Sequence, residues 1–187
     1  GLVCPEHAIG EMTKCIGLLQ SGISENVTIH SGFLNPGQPV GVAIIREGLK
    51  KAPADGTLTL IDCPPGRACV VMESIKDADY CVLVAEPTLF GAHNLEMVYE
   101  LVRIFEKPFG VILNKCLEDV PNPSEELCNA IGLPVIGKIP FDLEMGTLNA
   151  DGVILARSQA RFAASFTELL LKLKEVSGHE AAVDSQW

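Results

Sequence analysis

Short apolar runs alternate with amphipathic stretches through most of the second two-thirds of the chain. Thr57–Ile61 predicts a short apolar strand, ending in Asp62-Cys63-Pro64-Pro65-Gly66. Tyr80–Ala85 predicts a second buried strand, closed by Glu86-Pro87-Thr88. Leu95, Val98, Leu101, Val102 and Phe105 share one face of a helix predicted over Asn94–Phe105. Phe109–Leu113 predicts a third strand, running out into Asn114-Lys115. A helix follows over Ser124–Ile131, with Ser124 as N-cap and Gly132 as its stop. Val135–Ile139 predicts a fourth strand, closed by Pro140, and Arg157–Val176 a long final helix.

The first 40 residues read differently. They are Gly- and Ser-rich, with short apolar pieces and turn signals at Ser21-Gly22 and Asn35-Pro36-Gly37, which predicts short strands joined by turns. Val40–Lys51 then carries a helical apolar pattern, with Lys50 and Lys51 near its C-terminal end. Strands apolar on both faces and alternating with helices mean a parallel sheet covered on both sides. The expected fold is α/β, a three-layer, doubly wound, mostly parallel sheet with helices on both faces. Ligands of such sheets sit outside the carboxyl ends of the strands. Here the polar residues at those ends are Asp62, Glu86, Asn114-Lys115 and Asp142.

Composition narrows the partners. The chain has 187 residues, of which 48% are hydrophobic, so most of it can bury a core and disorder is excluded for most of its length. Its net charge, 14 − 24 = −10, argues against a nucleic-acid surface, which needs clustered Lys and Arg. No apolar run is long enough to span a bilayer, and the end of the final helix is acidic rather than a basic membrane anchor. Seven cysteines at irregular spacing make a poor disulfide framework and point to a reducing, cytoplasmic setting. No C-x-x-C occurs, so no self-contained cluster or zinc site is written in local spacing. Residues 177–187 read as a flexible acidic tail.

Three segments carry candidate chemistry. A carboxylate such as Asp62 at a strand end can hold Mg²⁺ through water, and the stiff Pro64-Pro65-Gly66 turn would aim the Gly66 N–H at a γ-phosphate. A strand-ending Asx turn with prolines accounts for the same residues. The Asn114 amide, donor and acceptor together, suits a purine edge, although an ordinary polar loop would also contain it. Cys4-Pro5 matches the close of a bacterial ferredoxin ligand run whose other cysteines would lie upstream. Gly132-Leu133-Pro134-Val135-Ile136-Gly137-Lys138 has phosphate-loop spacing, but it coincides with a predicted strand instead of opening a helix. His30, His93 and His179 have no partner at metal-ligand spacing.

In order and spacing, Leu60–Gly66, Ala78–Thr88, Gly110–Lys115 and Gly137–Asp142 resemble the MinD/ParA family of deviant P-loop ATPases. Cys4–Ile9 and Gly32–Gln38 resemble the edges of the subfamily that carries an inserted two-cluster ferredoxin domain. The resemblance implies a P-loop NTPase-like fold truncated at its N-terminus. Residues 1–10 would be the end of the insert, 11–176 the C-terminal part of the ATPase domain and 177–187 the tail. It implies Asp62 as the Walker B carboxylate holding Mg²⁺ and Gly66 as the switch glycine. It implies that Asn114, beside Lys115, contacts adenine, that Pro140 and Asp142 line the base pocket, and that Cys4 is a surviving 4Fe-4S ligand. The implied parent is an ATPase driven through a switch by ATP and Mg²⁺, with a homodimer and a redox or metallocentre-assembly partner. The family's Lys-Gly-Gly-type phosphate loop is absent from the sequence, so this chain alone is expected to be inactive and to bind ATP weakly or not at all. The alternative is a non-hydrolytic electron-transfer or metallocentre-assembly scaffold with a vestigial nucleotide site.

Overall fold

A computed structural model describes residues 5, 10, 12–53 and 56–178; Cys4, His179 and the acidic tail beyond residue 178 lie outside the described residues. The chain forms two compact units, divided between Ser74 and Ile75.

In the first unit, strands β1 (Gly17–Ser24) and β2 (Val27–Leu34) form an antiparallel hairpin. The turn falls at Glu25-Asn26, not at Ser21-Gly22, because Ser21 and Gly22 are paired with His30 and Ile29 in the ladder. Glu25 takes the left-handed conformation (φ 54°) that such a tight turn demands. Helix α1 (Val42–Leu49) lies on the hairpin. Ile44 approaches so closely that a Cβ on Gly17 or Gly32 would fall within 2.3–2.4 Å of its methyl groups. Those two glycines are what let the helix dock.

Thr57–Ile61 does not form the expected strand, and Leu60 within it is 72% exposed. An apolar β-branched run becomes a strand only when neighbouring strands complete its ladder, and among the described residues none pairs with it. Asp62 therefore does not close a strand, which corrects that part of the expectation. Helix α2 (Cys69–Ile75), for which the pattern gave no signal, ends at the division between the units.

The second unit is a parallel sheet of three strands in the order β3-β4-β5, where the sequence predicted four. They are β3 (Cys81–Ala85), β4 (Phe109–Cys116) and β5 (Val135–Pro140). Helices α3 (Leu89–Ile104) and α4 (Pro123–Ile131) make the two crossovers and pack on each other. Right-handed crossovers in one direction put both on the same face. After β5 come α5 (Leu143–Ala150), α6 (Leu155–Ser158) and α7 (Ala160–Val176). Helix α7 crosses β5 where a Cβ on Gly137 would meet Leu169 at 2.3 Å, on the face shared with Ile112. Val111 and Leu113, on the alternate positions of β4, are fully buried, with Val102 and Cys128 about as deep. This is the expected α/β architecture with helices flanking a parallel sheet.

The element boundaries moved for local reasons. Helix α3 starts at Leu89, ahead of Asn94, because the Thr88 Oγ1 accepts the Gly91 N–H at 2.8 Å. The cap of α4 is Asn122, whose Oδ1 accepts from the Ser124 and Glu125 N–H groups. Gly132 ends α4 in the left-handed conformation (φ 74°), as read. The final helix is broken at Gln159, which is extended (φ −146°, ψ 137°) and separates α6 from α7. Among the described residues no helix is long and apolar enough to cross a membrane.

Candidate functional site

Three parallel strands end side by side, so whatever follows each of them is delivered to one edge of the sheet. After β3 comes Glu86, half exposed. Its backbone carbonyl accepts a 2.6 Å hydrogen bond from the Ser124 hydroxyl, so the start of α4 is tied to the end of β3. Ser124 was expected as the cap of α4; it is instead a fully buried strap between two elements.

Strand β4 runs three residues past its predicted end. Its pairing with β5 slips between Leu113 and Cys116, and Asn114 and Lys115 occupy the slip. Lys115 is in the left-handed region (φ 56°), an uncommon conformation for a residue with a side chain. Bulges of this kind re-aim side chains at strand ends. The Asn114 Oδ1 accepts the Lys115 N–H at 3.0 Å, and the Lys115 Nζ donates to Glu86 Oε1 at 2.6 Å. Lys115 thus bridges the ends of β3 and β4. Pairing then resumes with Cys116 opposite Pro140, and the Phe141 N–H donates to the Cys116 carbonyl at 2.8 Å.

Beyond β5, Asp142 caps α5. Its Oδ1 accepts the Met145 N–H at 2.9 Å, and its Oδ2 accepts from the Arg161 guanidinium at the start of α7. The same guanidinium donates to Glu144 and, through Nε, to Gln159 Oε1 at 2.8 Å, and it lies 4.0 Å from the centre of the Phe162 ring. The Arg161 hydrogen bond, helped by the Met145 N–H, holds the Asp142 carboxyl below its ordinary value, and the carboxylates raise Arg161 in return. A cavity of about 440 Å³ opens between β5 and α7, lined in part by Pro140, Asp142, Met145, Arg161, Phe162 and Phe166.

Of the sequence-predicted residues, Asn114, Lys115, Pro140 and Asp142 therefore share the carboxyl edge of one sheet. Asp62 and Gly66 belong to the first unit. Asp62 is exposed; Gly66 has φ 93°, so its turn does require glycine. Neighbouring Cys63 has its thiol pushed up chiefly by burial. The phosphate-loop look-alike is the C-cap of α4 and a short link followed by β5, with Gly137 and Lys138 inside the strand. Lys138 is engaged by Glu125.

Sequence reasoning missed Arg161, Asn122 and the strap from Ser124. Asn122-Pro123 was legible as a cap followed by proline at the first helical position. Arg161 had no local signal, because the acids it joins lie 17 and 19 residues away.

A single exposed carboxylate such as Asp62 suffices for Mg²⁺ only in company with phosphate oxygens. Among the described residues no group of three or more His, Cys, Asp or Glu side chains could hold a metal, and none of the six described cysteines is in a disulfide. The described residues do not fit an iron–sulfur cluster.

This geometry defines an α/β protein in which helices flank a three-stranded parallel sheet, consistent with a MinD-like P-loop NTPase-type fold. The fold resembles the solved MinD cell division protein of Aquifex aeolicus, with a TM-score of 0.58 at 16% identity, over 78% of this chain and 64% of that one. Two curated relatives come from Methanocaldococcus jannaschii. The uncharacterized protein MJ0578 is 29% identical over 133 residues, covering 70% of this chain and 44% of the relative. The uncharacterized protein MJ0579 is 26% identical over 106 residues, covering 54% and 38%. The chain thus spans less than half the length of both. No family model matches it.

Proposed function

We propose that this chain is part of a MinD-superfamily ATP-binding protein and that the carboxyl ends of β4 and β5 supply its base-binding side. The observation that carries the reading is the placement of Asn114, Pro140 and Asp142 at the ends of two adjacent parallel strands, with Lys115 anchored to the third strand through Glu86. The Asn114 amide can both give to and take from a purine edge. Asp142, held ionised by Arg161, can only accept, which suits an exocyclic amine. Pro140 offers an apolar wall. Asp62 would hold Mg²⁺ through water, and the Gly66 N–H would report the γ-phosphate to a dimer partner. In the whole protein, ATP binding or hydrolysis would drive this switch beside an iron–sulfur ferredoxin insert, with Cys4 as a cluster ligand and a redox or metallocentre-assembly partner.

Isothermal titration of the full-length protein with ATP and Mg²⁺ tests this. Micromolar affinity is expected, with about a tenfold loss in Asn114→Ala, the worth of a hydrogen bond to a buried base. The 187-residue chain, whose sequence holds no glycine-rich phosphate cradle, is expected to bind weakly or not at all. A full-length protein that carries clusters but has no affinity for ATP would overturn the reading in favour of the scaffold alternative.

A further inference from the structure

Both oxygens of the Asp142 carboxylate are already engaged. Oδ1 caps α5 through the Met145 N–H, and Oδ2 takes the Arg161 guanidinium. An ionised carboxylate offers about four lone-pair positions, so each oxygen retains room for one further donor. The directions in which it can accept are fixed by the two bonds already made. One of these comes from the helix that Asp142 itself starts. The other comes from α7, across the cavity from β5.

Arg161 is suited to that task. Its planar fork meets Asp142 and Glu144 together, its Nε holds Gln159 at the break between α6 and α7, and its face lies over Phe162. Phe162 is 2% exposed, so the surface beneath the guanidinium is itself fixed. Lysine, a point charge on a flexible stem, could not satisfy two carboxylates and a ring face at once. Asp142, Arg161, Phe162 and Pro140 all line the same cavity.

We infer that Arg161 is the positioning residue for base selection: by clamping Asp142 from α7 it holds an accept-only carboxylate toward the cavity, so the site prefers a purine bearing an exocyclic amine over one bearing a carbonyl. This inference rests on the nucleotide reading above and goes beyond it in naming what sets the base preference. Arg161 acts through Asp142 and does not touch the phosphates. Its loss therefore changes discrimination between bases and leaves affinity for the phosphate chain intact.

The test compares ATP, ITP and inorganic tripolyphosphate binding to the full-length protein, wild type and variants, by isothermal titration. ITP differs from ATP in carrying a carbonyl where ATP has the amine. The wild type is expected to prefer ATP over ITP by about tenfold or more. Arg161→Gln should bring that ratio close to one with tripolyphosphate affinity unchanged, and Arg161→Lys should restore part of it. An unchanged ATP-to-ITP ratio in Arg161→Gln overturns the role of Arg161 alone. An equal loss for all three ligands also overturns it, because the residue would then serve only the fold. If Arg161→Gln does not fold, the milder Arg161→Lys is read in the same way. A wild-type protein that binds tripolyphosphate, ATP and ITP equally removes the base site and this role with it. One that binds none of them removes the nucleotide reading itself.

Discussion

The two regions proposed to meet a nucleotide are held in opposite ways. At the carboxyl edge of β3–β5 the polar side chains are cross-tied: Lys115 to Glu86, Ser124 to the Glu86 carbonyl, Asp142 to Met145 and Arg161. Beneath them Val111 and Leu113 are fully buried. The Asp62–Gly66 segment has no strand behind it, and Asp62 is exposed. A strand end is a rigid platform only when the strand has neighbours. Three mutually paired strands, with helices packed on them, turn Asn114, Pro140 and Asp142 into fixed points. The proline-stiffened turn at 64–66 fixes its own shape and little else.

That contrast can be broken by substitution. The largest effect is expected in the core beneath the prebuilt edge. Leu113→Ala should cost about 2–5 kcal/mol in urea unfolding, the usual range for a buried leucine. Leu60→Ala, in the segment that forms no strand, should stay within about 0.5 kcal/mol. Similar costs at the two sites would show that Thr57–Ile61 is packed in solution and would end the comparison.

The caps come next. Asn122→Ala removes an acceptor for two N–H groups of α4 and should cost about 1 kcal/mol by the same measurement. A smaller effect is expected from Asp142→Asn, which keeps a capping oxygen and loses the charge facing Arg161. The Asp142 carboxyl is held below its ordinary value, so its contribution is present in full above about pH 4 and is lost as pH falls through the lower folded value. Wild type and Asp142→Asn should therefore differ at pH 7 and converge only once pH has fallen below the lowered folded value. A gap that persists at low pH would assign the difference to packing. Lys115→Met should also change stability little, by less than about 1 kcal/mol, because both partners of its 2.6 Å ion pair are about half exposed.

These residues also show how far the sequence could be read. The strands of the second unit and the stop at Gly132 were legible, since apolar runs and a glycine after a helix are local signals. The same apolar signal at Thr57–Ile61 misled, because forming a strand there depends on a neighbour and not on the run itself. Polar Asn114 and Lys115 hid the last part of β4, where a bulge carries the chain on to Cys116. Helix α5 was missed because it buries no residue and shows no clear apolar face, so only the Asp142 cap announced it. The break at Gln159 has neither proline nor glycine to mark it. Its side chain joins the Arg161 and Glu144 cluster, a tertiary arrangement invisible in spacing. The candidate site divides in the same manner. Asn114 and Asp142 stood out by their place after predicted strands and Pro140 only through the family resemblance, whereas Arg161 shows itself only by what it touches.

The central claim is that the sheet's carboxyl edge receives the base of a nucleotide. Hydrogen–deuterium exchange of the full-length protein, with and without ATP and Mg²⁺, tests it most directly. The account predicts that ATP protects the amides of residues 114–116 and 141–145 together. Protection confined to other parts of the chain, with these segments unchanged while ATP is bound, would contradict it.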